Sequence, residues 1–216
     1  MKNGTPSPHS ADPPDSYLTL AEAAAAELKI QRSRFLALAV PVASPEEARL
    51  RLEETSRRYH DARHVCYGYR LGVGHFLVTR RSDDGEPSGT AGEPILLAID
   101  QLGLTDVLVM VVRYFGGIKL GTGGLARAYG QAATEALSHG TIREVSLGRE
   151  FVLEFSYARE KTIRRLLEAW KGKQVAQEYG ENVTWRVWLP HSAWRGFAGA
   201  LTEHTAGAVA LEETVE

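Results

Sequence analysis

The sequence predicts an α+β protein made of two small domains. Short apolar runs typical of strands alternate with longer stretches in which apolar residues recur every three or four positions, as on one face of a helix. A hairpin pattern stands beside crossover connections, and this mixture favours helices on one face of a sheet. The 216 residues, 44% of them hydrophobic and 24% charged, suffice for one large or two small globular domains.

The chain is expected to begin with a flexible leader and two strands. Residues 1–16 hold four prolines and no periodic apolar pattern, which is typical of a mobile segment. Residues 20–29 combine helix-favouring alanines with an apolar–polar alternation, so the residues alone leave helix and strand open. Residues 35–42 form an apolar run typical of a buried strand.

A helix and a β-hairpin follow. Ser44 is expected to cap a helix that runs to about Tyr59, because a proline stands at the first helical position and a glutamate lies three residues after the serine. Residues 64–71 and 75–81 read as two strands that pair across a glycine-containing turn, residues 72–74.

The stretch most indicative of function is a glycine-rich loop between a strand and a helix. Residues 107–112 are an apolar run, and residues 122–138 have helical periodicity. The glycines between them accept positive φ and leave backbone N–H groups bare, and the helix N-terminus adds partial positive charge. This pattern predicts a phosphate site, with packing alone as the alternative role of the glycines. The predicted anion or nucleic-acid site comprises Arg113, Tyr114, Gly116, Gly117, Lys119, Gly121, Thr122, Gly123, Gly124 and Arg127.

Two familiar glycine motifs are excluded. Gly116 and Gly121 have the separation of a Walker loop, but Thr122 stands where that motif has its lysine. Residues 121–126 fit G-x-G-x-x-A, yet residues 115–120 separate them from the strand, whereas a dinucleotide fingerprint opens directly after it.

The loop just upstream, residues 82–92, is predicted to support the site. Asp83, Asp84 and Glu86 could hold a hard cation through oxygen ligands. Pairing of these carboxylates with Arg80, Arg81, Arg113 or Arg127, or capping of a helix that begins near Pro94, is the favoured interpretation because EF-hand spacing is absent. No metal or cofactor is predicted. The supporting residues are Arg80, Asp83, Asp84, Gly85, Glu86, Ser88 and Thr90.

Charge and cysteine content restrict the function classes. A net charge of −2 argues against a generally basic nucleic-acid coat, so any such contact needs a local patch. Cys66 is the only cysteine, which excludes an intramolecular disulfide. His64 lies two residues from it, too far for direct proton transfer, so packing is favoured over a nucleophile. With no secretion signal and no run of eighteen apolar residues, we expect a cytoplasmic protein without membrane contact.

The C-terminal part predicts a second domain. Residues 141–149 read as a polar linker, and residues 150–216 follow the order β-α-β-β-α-β, which is typical of a ferredoxin-like domain. Trp185 and Trp188 fall on opposite faces of one strand, so at least one of them is expected to be exposed or at an interface. The predicted strands are 151–155, 174–179, 182–189 and 206–211, and the predicted helices 163–170 and 192–203.

Residues 82–92 (SDDGEPSGTAG) and 111–125 (VVRYFGGIKLGTGGL) resemble the motifs of the IMPACT/YigZ family, and residues 32–35 (RSRF) and 62–67 (ARHVCY) extend the likeness. It covers about residues 17–140, which implies an N-terminal domain with the ribosomal protein S5 domain 2-like fold and favours a strand over residues 20–29. The second domain would be similar to one found in elongation factor G. Arg32 in place of the family's lysine and Val65 in place of a polar residue are the departures.

Three hypotheses follow for the function. The resemblance favours a non-enzymatic regulator linked to translation, with RNA, the ribosome or a regulatory protein as partner. An enzyme that binds a nucleotide or phosphorylated small molecule at the same loop is the second, but no catalytic constellation is complete and no catalytic residue is assigned. A protein–protein adaptor is the third.

Overall fold

The computed structural model describes residues 13–214, so most of the predicted leader and the last two residues lie outside the described part. Two compact units divide the chain. Residues 17–145 form one, and residues 146–214 with residues 13–16 form the other. Within the second unit the Asp15 carboxylate accepts a hydrogen bond from the Ser192 backbone N–H at 2.8 Å, so the end of the predicted leader is held in place.

The first unit contains a five-stranded antiparallel sheet in the order β2-β3-β6-β4-β5 and a separate ribbon of β1 with β7. The ribbon was not predicted, and its second strand occupies part of the expected linker, residues 141–149. The elements are β1 Ser16–Leu20, β2 Ala24–Ile30, β3 Ser33–Pro41, α1 Pro45–Arg58, β4 His64–Leu71, β5 Val78–Ser82, α2 Gly92–Gln101, β6 Val107–Tyr114, α3 Gly121–Ser138 and β7 Ile142–Ser146.

Helices cover both faces of the sheet, and the prediction of helices on one face is wrong. Helices α2 and α3 pack together on one face, where Val109 and Val111 belong to the main core. On the other face Leu108 and Met110 join a smaller core with Ala48 of α1. Strand β6 is apolar at successive positions because both of its faces are buried.

Local sequence signals explain the first helix and the hairpin. The Ser44 hydroxyl accepts from the Glu47 N–H at 3.1 Å and caps α1 as predicted. Strands β4 and β5 pair as predicted, but β5 begins at Val78 because a short 3-10 turn, Gly74–Phe76, lengthens the connection.

The second unit is α+β with the strand order β11-β8-β10-β9, all antiparallel, and the β-α-β-β-α-β succession of a ferredoxin-like fold. The strand predicted at 206–211 is wrong, because Ala206 and Gly207 take positive φ and end the helix, and a two-residue strand follows later. Trp185 is fully buried, whereas Trp188 is partly exposed. The elements are β8 Gly148–Phe155, α4 Glu160–Ala169, β9 Lys173–Tyr179, β10 Val183–Pro190, α5 Trp194–Thr205 and β11 Glu212–Glu213.

None of the helices within residues 13–214 has the length and apolar character needed to span a bilayer.

Candidate functional site

A cavity of about 380 Å³ opens in the first unit beside the glycine-rich loop. Side chains from three places meet there: the start of β4, the loop before α2, and the segment from the end of β6 to the first turns of α3. The lining residues are Arg63, His64, Glu86, Pro87, Arg113, Phe115, Lys119, Leu120, Gly121, Thr122 and Leu125.

A buried ion pair forms the floor of the cavity. The Arg113 Nη1 donates to Glu86 Oε1 at 2.6 Å, with side chains only 8% and 4% exposed, and the Tyr129 hydroxyl donates to the same oxygen at 2.8 Å. The Arg113 charge is therefore already matched by Glu86 inside the protein.

The Arg113 guanidinium is also stacked between two rings. Its central carbon lies 5.7 Å from the centre of the Phe35 ring and 5.5 Å from that of Phe115. Its Nε is buried and has no hydrogen-bond partner among the described residues. An arginine has five N–H donors, and the pair with Glu86 leaves this buried one without a partner.

Cys66 lies in the main core of the first unit and is not a reactive thiol. Its Sγ donates to the Asp83 carbonyl oxygen at 2.9 Å, and burial raises the pKa of this thiol to about 12. Burial, together with the neighbouring thiol and carboxylate, also raises the pKa of Tyr129. Cys66 thus remains a protonated packing residue at neutral pH, as the strand pattern favours.

The loop of residues 82–92 uses its carboxylates to hold the protein together. The Asp83 carboxylate accepts from the backbone N–H groups of Gly89, Ala91 and Gly92 at 2.8–2.9 Å and so closes the start of α2. Burial raises its pKa, but these three hydrogen bonds outweigh burial and hold the pKa below its ordinary value. Capping of α2, the favoured interpretation, is what the structure shows.

Asp84 is engaged as well, since its carboxylate accepts from the Val65 N–H at 2.6 Å. With Glu86 paired to Arg113, all three carboxylates of the predicted cation alternative bind protein donors. Across residues 13–214 no group of histidine, cysteine, aspartate or glutamate side chains is arranged to hold a metal ion.

The other supporting residues lie at or outside the edge of the cavity. Thr90 is buried and its hydroxyl donates to the Pro87 carbonyl oxygen at 2.7 Å. Gly85 has a φ of +83°, and a Cβ there would lie 3.4 Å from the His64 ring. Arg80 and Ser88 are exposed and do not line the cavity.

The glycines of the loop serve different purposes. A Cβ on Gly116 would lie 2.0 Å from the Arg32 carbonyl carbon, so no other residue fits there. Gly117 and Gly121 have positive φ, and Gly123 and Gly124 lie in the first turn of α3. Tyr114 is outside the lining; its hydroxyl donates to Asp61 at 2.9 Å.

No side chain within residues 13–214 caps the start of α3, and the first turn of this helix has no acidic residue. Gly121 and Thr122 of this turn line the cavity together with Lys119 and Arg63. Arg127 is exposed on α3. Arg32 is also exposed, and its backbone lies against Gly116 of the loop. Within residues 13–214 these four cations form no ion pair.

Sequence reasoning missed Arg63, His64 and Phe115 as lining residues. Arg63 and His64 precede the glycine-rich loop by about fifty positions, and the antiparallel register that pairs His64 with Arg113 brings them together. The sequence signals for these residues were the family-like motif at residues 62–67 and an aromatic residue, Phe115, next to the glycines of the loop.

Known proteins match this architecture. Residues 31–137 match the model described as the Impact N-terminal domain, and residues 153–208 match a domain of unknown function (DUF1949). "IMPACT family member YvyE" of Bacillus subtilis is 34% identical over 198 residues, which cover 92% of this chain and 91% of that protein. "IMPACT family member YigZ" of Escherichia coli is 33% identical, with 91% and 97% covered. The chain belongs to the IMPACT family.

A solved structure described as "Crystal structure of an hypothetical protein" shares the fold, with 33% identity, a TM-score of 0.62, and coverage of 94% of this chain and 98% of the other. Every residue that lines the cavity falls within the segment matched to the Impact N-terminal domain. The cavity is thus a feature of that domain of this IMPACT family protein.

Proposed function

We propose that this IMPACT family protein is a non-enzymatic, translation-linked regulator that binds RNA, free or in the ribosome, by holding a phosphate at the start of α3. The observation that carries the proposal is the uncapped N-terminus of this 18-residue helix, which opens into a cationic cavity. Unpaired N–H groups and the helix dipole together favour an anion at such a position.

Side-chain charge strengthens that preference. Lys119 and Arg63 line the cavity, and neither has an ion-pair partner among residues 13–214. Arg113 contributes by position, since its buried pair with Glu86 fixes the end of β6 from which the glycine-rich loop departs. The phosphate ligands are thus the α3 N–H groups, Lys119 and Arg63, with Arg127 and Arg32 as outer cations.

A local patch of this kind resolves the difficulty that the net charge of −2 poses for RNA binding. Phosphate contacts supply most of the non-specific affinity for nucleic acids, and they need only a few correctly placed cations. Lys119, Arg63, Arg127 and Arg32, which form no ion pair within residues 13–214, would supply such cations without a generally basic surface.

The enzyme alternative is weaker. Phosphoryl transfer needs carboxylates that hold a metal ion against the transferred group. Asp83, Asp84 and Glu86 instead bind backbone N–H groups or Arg113, and no group of such side chains within residues 13–214 is arranged to hold a metal ion.

RNA binding across a salt series tests the proposal. We expect the Arg63→Ala/Lys119→Ala variant to bind single-stranded RNA at least tenfold more weakly, with a slope of log K against log salt that is shallower by about 1.4. A matched control, Lys29→Ala/Arg57→Ala, removes one lysine and one arginine that are exposed outside the cavity and should bind as the parent does.

Unchanged RNA binding by the Arg63→Ala/Lys119→Ala protein would overturn this placement of the site. Binding of ATP or GTP without RNA binding would favour the enzyme. A folded protein that binds neither would favour the protein–protein adaptor.

A further inference from the structure

We propose that the cavity receives the base of an unpaired nucleotide whose phosphate lies at the start of α3. This inference rests on the proposed function and names its ligand class: single-stranded RNA, or an RNA nucleotide that has left its helix. Paired bases inside a duplex are held away from the protein by their own backbone and cannot enter.

The size of the cavity exceeds what a phosphate alone needs. Its volume is about 380 Å³, which lies in the range of about 300–1,000 Å³ seen for pockets that enclose small organic ligands. One nucleotide is a ligand of that class, whereas an inorganic anion would leave most of the space empty.

The walls beyond the phosphate position are apolar and include an aromatic ring. Leu120, Leu125 and Pro87 line the cavity together with Phe115, which is 54% exposed although its loop is otherwise rich in glycine. Apolar side chains form no hydrogen bond or ion pair with a phosphate, whereas they pack well against the faces of a base. Stacking of bases on aromatic side chains is the usual way in which proteins hold single-stranded RNA.

One donor beneath the cavity lacks a partner. The buried Nε of Arg113 forms no hydrogen bond in the described part of the chain, whereas Glu86 Oε1 already accepts from Arg113 and Tyr129. A buried polar atom without a partner costs free energy that a ligand recovers by bonding to it. The edge of a base presents acceptors to which such a donor can bond.

Three RNA-like probes of equal length separate the base from the phosphate. They are a fluorescein-labelled single-stranded 8-mer, the same strand in a blunt duplex, and an 8-mer ribose-phosphate chain that carries no bases. We expect anisotropy titrations to show that the single strand binds at least tenfold more tightly than the other two probes, since stacking of one base contributes about a tenfold to hundredfold factor.

Variants of one ring complete the test. Phe115→Ala should lower the affinity for the single strand to that of the base-free chain, whereas Phe115→Tyr, which keeps a ring, should retain it. Ile118→Ala is the matched control, because Ile118 is an exposed apolar residue of the same loop, 41% exposed, that does not line the cavity. A 2-aminopurine base in the single strand should be quenched on binding to the parent and not to Phe115→Ala.

Equal, salt-sensitive binding of the single strand and the base-free chain would overturn the base pocket and leave the proposed phosphate site standing. Binding of none of the three probes would overturn both. Displacement of the single strand by a peptide with a free C-terminal carboxylate, but not by its amide, would overturn the base pocket in favour of a peptide terminus.

Discussion

Helices α2 and α3 pack on the same sheet face and both begin after a glycine-containing loop, yet their N-termini differ in one respect. At α2 the Asp83 carboxylate accepts three backbone N–H groups, so the protein supplies its own anion. At α3 no side chain of the described residues caps the helix, and the first turn has no acid. Lys119 and Arg63 instead line the cavity beside this helix start.

A helix start that is filled by an internal carboxylate has its partial positive charge matched. The start of α3 has no such carboxylate among the described residues, and the cavity of this protein lies beside it. The proposed ligand site is therefore placed at α3 and not at α2. The ion pair between Glu86 and Arg113 joins the loop before α2 to the end of β6, from which the glycine-rich loop departs.

The largest loss of stability is expected when the ion pair between Glu86 and Arg113 is broken. Glu86→Gln leaves the Arg113 charge buried without a counter-charge, and we expect the free energy of unfolding to fall by about 3–5 kcal/mol. Urea denaturation followed by circular dichroism measures it. Glu93→Gln is the control, since its partner Arg81 and Glu93 itself are both more than half exposed, and its loss should stay below about 1 kcal/mol.

Equal losses in the two variants would show that the buried pair does not tie the loops together. The same burial means that Arg113→Ala is not a clean test of ligand binding, because a decrease in binding would accompany a decrease in stability.

Removal of the internal anion from α2 is next in size. Asp83→Ala leaves three backbone donors without their acceptor, and we expect about 2–3 kcal/mol of lost stability. Ser44→Ala, which removes a single capping bond from α1, should cost about 1 kcal/mol in the same urea experiment. An Asp83→Ala protein no less stable than Ser44→Ala would show that this carboxylate does not close α2.

The Asp83 contribution should also depend on pH. Its folded pKa lies below the ordinary aspartate value, so its stabilisation is present above about pH 4 and is lost as pH falls through the folded pKa. The difference in unfolding free energy between parent and Asp83→Ala should therefore be constant near neutrality and shrink below about pH 4. A difference that stays constant into the acid range would contradict this assignment.

Much of the fold could be predicted because its signals are local. The capping box at Ser44, the continuous apolar run of β6 and the periodicity of α3 each report on neighbouring residues, and the structure has all three elements. The ferredoxin-like order of the second unit followed in the same way. The two-residue strand β11 escaped because it is too short to carry a pattern.

What could not be predicted depends on contacts between distant positions. Alternate residues of β6 point to opposite faces of the sheet, and α1 packs on the face opposite α2 and α3. Because β6 is apolar at every position from 107 to 112, its sequence does not show on which face each helix packs. The pair of Arg113 with Glu86 joins residues 27 positions apart; the sequence allowed Arg113 as one of four arginine partners, and only the fold selects it. The contribution of Arg63 to the cavity depends on strand register in the same way.

An acidic residue at the start of α3 would make this helix resemble α2. Thr122→Asp places a carboxylate at the first turn of α3, where it competes with a ligand phosphate for the same N–H groups. We expect RNA affinity to fall at least tenfold, while the free energy of unfolding rises by about 0.5 kcal/mol. Thr122→Asn, which has the same shape without the charge, should change both far less. A loss of binding shared by the two variants would assign the effect to shape and contradict the anion site.

Substitution of two glycines distinguishes the cost of a left-handed backbone conformation from the cost of a steric clash. Gly117 has a φ of +88° with open space where a Cβ would be, so Gly117→Ala should cost only the strain of a left-handed residue, about 1 kcal/mol. At the start of α2 a Cβ on Gly92 would lie 2.9 Å from the Ser82 backbone nitrogen, so Gly92→Ala should cost more. Thermal unfolding of the two variants measures both losses. Because Gly117 does not line the cavity, its variant should keep RNA binding, and a loss of binding at unchanged fold would show that the loop conformation itself positions the phosphate.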